Sequence, residues 1–176
     1  MKQLLITAGG TAEKIDQVRS ITNHSTGQLG SLIAEAFLAH GYQVDYLTTH
    51  TALRPVNQDG LALHFIQDTK ELDETLTWLL QQKPYDAVIH SMAVSDFTPA
   101  NSFTLEAFTE KINQQLTKHS APFTKKDVAT LIEQTTAQET ATKISSDTDY
   151  FSLVLKKTPK VIKKIKEIQP NTILVS

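Results

Sequence analysis

A carboxamide, an imidazole and two hydroxyls stand in a row at Asn23-His24-Ser25-Thr26, directly before Gly27 and a helical pattern. A carboxamide beside the N–H groups of a helix start can hold a carbonyl or phosphoryl oxygen as charge develops on it. Ser25 or Thr26 can cap that helix, and capping alone is sufficient reason for either. It explains neither Asn23 nor His24. Arg19 offers a planar fork suited to phosphate or carboxylate, although Arg19 and Lys14 are equally at home as surface residues. Asp16 can pair with an arginine, cap a turn or meet ligand. Upstream, Thr7-Ala8-Gly9-Gly10-Thr11 can cradle a phosphate through backbone N–H groups, or form a tight turn that needs small residues. Neither GxGxxG nor a Walker signature is present.

Two further stretches carry candidate chemistry. His90-Ser91-Met92-Ala93-Val94-Ser95-Asp96-Phe97-Thr98-Pro99 lies at the carboxyl end of a short apolar run. In an open α/β sheet ligands bind at that edge. Asp96 can contact a ribose, a metal ion or a polar substrate group, or can form an Asx turn before Pro99. His90, inside the apolar run, reads as a satisfied core histidine. Lys143 is the lone charge in Thr140-Ala141-Thr142-Lys143-Ile144-Ser145-Ser146 and is a ligand or surface lysine. The lysines at 156, 157, 160, 163, 164 and 166 read mostly as a solvated helix face.

These groups need a frame. Lys2–Ala8 reads as a buried strand ending at Gly9-Gly10, and the sixteen residues Thr11 to Thr26 form a polar loop longer than an ordinary connector. Gly27–His40 has a helical stripe of Leu29, Leu32, Ile33, Ala36 and Phe37, stopped by Gly41. Strands follow at Tyr42–Leu47 and Leu61–Ile66. Asp68 or Thr69 caps a helix to about Gln82 with Leu72, Leu76, Leu79 and Leu80 inward, and Ala87–His90 is a central strand. Asn101–Thr142 is polar and thinly patterned, an excursion carrying one or two amphipathic helices as arm, lid or insert. Order returns with strand Tyr150–Leu155, a helix started by Thr158-Pro159 over Lys160–Gln169, and strand Thr172–Val175. Alternating strands and helices predict an α/β, Rossmann-like, doubly wound and mostly parallel sheet with helices on both faces. A single domain over 1–176 with an insert at about 101–142 is expected.

Composition bounds the rest. The 176 residues are 40% hydrophobic and 20% charged, with a formal charge of −2, as in an ordinary globular protein. That balance gives no electrostatic reason to expect nucleic acid. The absence of cysteine excludes a disulfide framework and a cysteine nucleophile. No apolar run approaches the roughly 20 residues of a membrane span, so a cytoplasmic protein that meets neither membrane nor nucleic acid is expected.

Taken together, these stretches resemble phosphopantothenoylcysteine synthetases. The family opens on a strand, TAGGT, and a loop of the form ID-x-VR-x-I-[ST]-NHS-[ST]-G. This chain has Thr7–Thr11 and then Ile15-Asp16-Gln17-Val18-Arg19-Ser20-Ile21-Thr22-Asn23-His24-Ser25-Thr26-Gly27. Met92-Ala93-Val94-Ser95-Asp96-Phe97 is similar to the family's AAVADY, Lys143-Ile144 to its KIKK, and Lys157-Thr158-Pro159 to its KTPDI. The likeness is good over residues 1–100, acceptable over 143–176 and poor over 101–142.

The resemblance implies a homodimeric ligase that condenses 4′-phosphopantothenate with L-cysteine in coenzyme A biosynthesis. CTP, or ATP, with Mg²⁺ activates the carboxylate as an acyl-nucleotide, which the cysteine amine then attacks. It implies that Asn23 holds the acyl-nucleotide and that Lys143 neutralises the α-phosphate, the two catalytic residues. Gly9, Gly10, Asp96 and Ala93 would meet nucleotide, and Arg19, His24, Ser25, Thr26 and Gly27 the acyl substrate. Ser145-Ser146 stand where relatives carry further lysine, which lowers the expected charge there. The family continues past a strand like Thr172–Val175, so a C-terminally incomplete, stand-alone synthetase, weak or inactive as it stands, is expected. The competing readings are an NAD(P)-dependent Rossmann oxidoreductase and a catalytically silent binding protein on the same fold.

Overall fold

The computed structural model describes residues 2–117, 121–135 and 149–176. They form two compact units. The first comprises residues 2–13, 21–96 and 158–176, and the second residues 14–20, 97–117, 121–135 and 149–157.

In the first unit the strands are β1 (Gln3–Gly10), β4 (Gln43–Thr48), β5 (Leu61–Phe65), β6 (Ala87–Ala93) and β9 (Ile173–Val175). They build one sheet in the order β5-β4-β1-β6-β9, and every pair is parallel. The chain therefore winds outward from β1 on one side and then returns to start again at β6. Short β2 (Ala12–Lys14) and β3 (Ser20–Thr22) pair in the loop after β1.

Alternation along β1 explains the layers, because successive side chains point to opposite faces. Leu5 joins Leu72, Leu76, Leu79 and Leu80 of α2 (Thr69–Gln82) with Val161 and Ile165 of α5 (Val161–Ile168). Leu4, Ile6 and Ala8 join Ala34 and Leu38 of α1 (Gln28–Ala39) on the other face. The doubly wound parallel sheet is thus as expected. Asp68 caps α2, its carboxylate accepting the Glu71 N–H. No helix among the described residues is long and apolar enough to cross a membrane.

The first helix matches its expected stripe at Ile33 and Phe37, which pack against the core, and differs elsewhere. Gly30, Ser31, Ala34 and Leu38 are its buried residues, while Leu29 is 65% and Leu32 57% exposed. Small Gly30 over Ala8 lets the helix lie close to β1, which turns the bulkier leucines outward. The α5 start also differs, since its cap position is Lys160, without a side-chain cap bond. Thr158 instead bonds to the turn after β6.

The second unit holds β7 (Phe97–Thr104), α3 (Leu105–Leu116), α4 (Lys125–Gln134) and β8 (Phe151–Lys157). β7 and β8 are antiparallel and form their own two-stranded sheet, with a register shift at Pro99/Asn101. The strand expected over Tyr150–Leu155 therefore lies outside the parallel sheet. Its partner is Phe97–Thr104, in which Thr98, Asn101, Ser102 and Thr104 leave only a weak period-2 signal. Of the one or two amphipathic helices expected in this stretch, two are present among the described residues: Thr104 caps α3, and Thr124 with Asp127 forms a capping box on α4. The Asn101 amide donates to the carbonyls of Ile132 and Thr135 at the end of α4, at 2.7 and 2.8 Å.

Candidate active site

Strand order marks the crevice where a ligand site is expected. β1 and β6 are neighbours whose following connections leave in opposite directions across the sheet, and the crevice beyond their carboxyl ends is where such sheets bind ligands. Gly9 stands opposite Met92 there and Gly10 opposite Ala93. The Thr11 N–H donates to the Ala93 carbonyl at 3.1 Å, and the Asn23 N–H to the Thr11 carbonyl at 3.3 Å. The two stretches that carry the candidate chemistry are thereby laced to one residue.

Gly10 is required by close approach. A Cβ at this position would stand 2.2 Å from the backbone oxygen of Asn23. The glycine lets the Asn23 loop lie directly on the end of β1. Gly27 is required by conformation: it takes the cap position of α1 with φ of 76°, a region costly for residues with a Cβ.

Neither Ser25 nor Thr26 fills the helix cap that the sequence suggests. Gly27 does, and it supplies no side-chain acceptor. Thr26 contributes one weaker contact, its hydroxyl accepting the Gln28 N–H at 3.3 Å, and its carbonyl accepts the Leu53 N–H at 2.8 Å. No acidic residue lies in the first turn of α1. The amides of that turn and the positive end of the helix dipole together favour an anion. Beneath it the buried Tyr46 hydroxyl lies 3.5 Å from the Gly27 carbonyl and 3.4 Å from that of Leu53. Burial, aided by the Glu35 charge, pushes its pKa up to about 12, so it remains a neutral donor.

The turn after β6 is held from two sides. The Ser95 N–H donates to the Thr11 hydroxyl at 2.9 Å, and the Thr158 hydroxyl donates to the Ser95 carbonyl at 2.6 Å. The Thr158 N–H reaches the Asp96 carbonyl at 3.1 Å. The Asp96 carboxylate is 65% exposed and pairs with Lys160, itself 63% exposed. Exposed pairs of this kind contribute little, so both groups can exchange that partner for a ligand. His90 bonds to the Thr7 hydroxyl at 2.7 Å. Desolvation lowers its pKa, but it is half-buried and not the core histidine that the sequence suggests.

Of the expected site residues, Gly9, Gly10, Asn23, His24, Ser25, Thr26, Gly27, Ala93 and Asp96 all belong to the first unit. Arg19 belongs to the second, in the turn of residues 14–20. There its guanidinium donates twice to Asp16 Oδ2, at 3.0 and 2.7 Å, while Asp16 Oδ1 accepts the N–H groups of Val18 and Arg19. Asp16 thus pairs and caps at once. Lys143 lies outside the described residues. Thr158 and Lys160 join the site without any mark of it in the sequence. Lys160 looked like one more lysine on a helix face, and Thr158 like a cap.

Comparison with known proteins places this geometry in a family. Residues 1–138 match the DNA/pantothenate metabolism flavoprotein C-terminal domain. The coenzyme A biosynthesis bifunctional protein CoaBC of Thermococcus kodakarensis is 30% identical over 174 residues, covering 99% of this chain and 33% of that protein. Its Bacillus subtilis counterpart is 40% identical over 105 residues, covering 58% of this chain and 24% of that protein. The chain therefore spans about a third or less of the length of these curated relatives. The crystal structure of the DNA/pantothenate metabolism flavoprotein from Streptococcus pneumoniae superposes with a TM-score of 0.78 at 39% identity, over 99% of this chain and 68% of that one. The chain belongs to the family of DNA/pantothenate metabolism flavoprotein C-terminal domains.

Proposed function

We propose that the chain carries the phosphopantothenate–cysteine ligase site of coenzyme A biosynthesis. The observation that supports this most directly is the meeting of Gly10, Asn23 and Ala93 around Thr11, beside the start of α1, whose cap residue Gly27 has no side-chain acceptor. The names of the curated relatives point to the same pathway.

The chemistry follows from what a carboxylate needs. It is a poor electrophile at pH 7, so a nucleoside triphosphate, CTP or alternatively ATP, must convert it to an acyl-nucleotide with loss of pyrophosphate. Phosphate charge is taken up by the first-turn amides of α1 and the backbone at Gly9-Gly10. Asn23 holds the activated acyl group while the cysteine amine attacks its carbonyl carbon and the nucleoside monophosphate leaves. His24, Ser25 and Thr26 line the approach of the phosphopantothenoyl group. Mg²⁺ is commonly held by one or two carboxylates and the substrate phosphates, and the exposed carboxylate of Asp96 fits that donor set. When bound, the ion would neutralise phosphate charge. We assign the active form as a cytoplasmic homodimer.

The test is the reaction itself with the full-length protein. Phosphopantothenoylcysteine, pyrophosphate and CMP are expected from CTP, 4′-phosphopantothenate and cysteine. Asn23→Ala is expected to lower kcat by about 10²–10³, the usual cost of one donor that stabilises developing charge. Hydride transfer from a nicotinamide cofactor, with no cysteine-dependent pyrophosphate, would refute the reading.

A further inference from the structure

Glu13 and Thr69 have no part in that mechanism, yet both are buried behind it. Glu13 is 3% and Thr69 1% exposed, and Thr11 is wholly buried. Glu13 Oε1 accepts both the N–H of Thr69, at 2.9 Å, and its hydroxyl, at 2.6 Å. Thr69 is the first residue of α2, where the helix dipole favours a carboxylate.

The single hydroxyl proton of Thr69 is committed to Glu13 by the shorter contact. In the remaining contact between the Thr69 and Thr11 hydroxyls, 3.4 Å apart, Thr11 is therefore the donor. That leaves the lone pairs of Thr11 Oγ1 for the Ser95 N–H at 2.9 Å. The result is one directed chain, from Ser95 N–H through the Thr11 and Thr69 hydroxyls to the Glu13 carboxylate. Donors and acceptors in such a chain polarise one another in a low-dielectric interior. Its far end is an ion set against a helix start, and its near end is the turn that carries Asp96.

We propose that Glu13 and Thr69 are positioning residues, which act through Thr11 to fix the Ser95–Asp96 turn in its ligand-ready place. This rests on the ligase reading for the identity of the ligand only. Neither residue touches substrate. Thr69→Val keeps the shape and removes the hydroxyl; Glu13→Gln keeps an acceptor and removes the charge; Thr69→Ser keeps the chain intact.

The experiment combines amide hydrogen exchange, residue by residue, with calorimetric titration by CTP and Mg²⁺. In Thr69→Val and Glu13→Gln, exchange at Ser95 is expected to rise about tenfold while core amides such as Leu5 and Val88 hold. The dissociation constant for CTP is expected to rise with it, and Thr69→Ser to behave as wild type. Unchanged protection at Ser95 in Glu13→Gln would overturn the proposal even if Thr69→Val failed to fold. Lost protection with unchanged CTP affinity would overturn it too, leaving these residues a structural role only. A wild-type protein that binds no CTP would instead refute the ligase reading, and the exchange data would still decide whether the chain orders the turn.

Discussion

At the scale of single residues, the site depends on what is missing from a side chain as much as on what is present. Gly10 has no Cβ, and for that reason the Asn23 backbone can lie against the end of β1. Gly10→Ala forces a carbon to 2.2 Å from the Asn23 oxygen, a contact that cannot exist, so the loop must lift. The cost expected is that of overpacking, about 1–3 kcal/mol, read as a lower midpoint in urea denaturation. Nucleotide affinity should fall with it, because the loop that lifts carries Asn23. Unaltered stability together with unaltered affinity would show that the loop does not rest there. The sequence made Gly9-Gly10 legible as a special turn but left two reasons open, ligand or steric need. The structure supplies the steric one, which depends on a residue distant along the chain. Thr11 is the opposite case: a threonine in a motif carries no mark of the four contacts it makes once folded.

At the scale of elements, the helix caps and stripes that match expectation are those set by local signals. Asp68 with Glu71 specifies the start of α2, and its four leucines face inward. The expected stripe of α1 holds for Ile33 and Phe37, which pack against the core, and fails for Leu29, Leu32 and Ala36, because tight Gly30–Ala8 packing rotates them outward. β7 was invisible because its residues pair with β8, far away in sequence and equally polar at one end. Between elements, buried Asp45 on β4 forms a clamp. Its carboxylate accepts from His64 on β5 at 2.8 Å and from the Tyr85 hydroxyl at 3.0 Å, and pairs with Lys83 at 2.6 Å. Burial alone would raise its pKa, but the hydrogen bonds from His64, Lys83 and Tyr85, with the Lys83 charge, outweigh it and hold the carboxyl below the usual aspartate range. A depressed folded value means that the unfolded chain takes up the proton first. The clamp's contribution is therefore complete above the unfolded pKa and is lost as pH falls through the folded one. Denaturation followed across pH 7 to about 2 should show that loss, and Asp45→Asn should weaken the protein at pH 7 by about 1–3 kcal/mol and flatten the acid limb. An acid limb of unchanged slope in the variant would remove Asp45 as its source.

At the scale of the whole molecule, the parallel sheet could be read from alternating strands and helices, and strand order then fixes where ligands meet it. The point at which the winding reverses, between β1 and β6, could not be read, since pairing order is a property of the folded sheet. It nevertheless brings together residues that the sequence had marked separately, Gly10 and Asn23 from one stretch and Ala93 and Asp96 from another. Arg19, marked with them, belongs to the second unit, and what distinguishes it, a guanidinium, says nothing about which unit its turn joins. The central claim is that the carboxyl edge of β1 and β6 receives the nucleotide and the acyl group it activates. Titration of ¹⁵N-labelled protein with CTP and Mg²⁺, and then with 4′-phosphopantothenate, followed by amide chemical shifts, tests that claim most directly. The largest shifts are expected at Gly9, Gly10, the Asn23–Gly30 amides and Ala93–Asp96. Saturable shifts confined to other positions, or no shift from either compound at millimolar concentration, would contradict it.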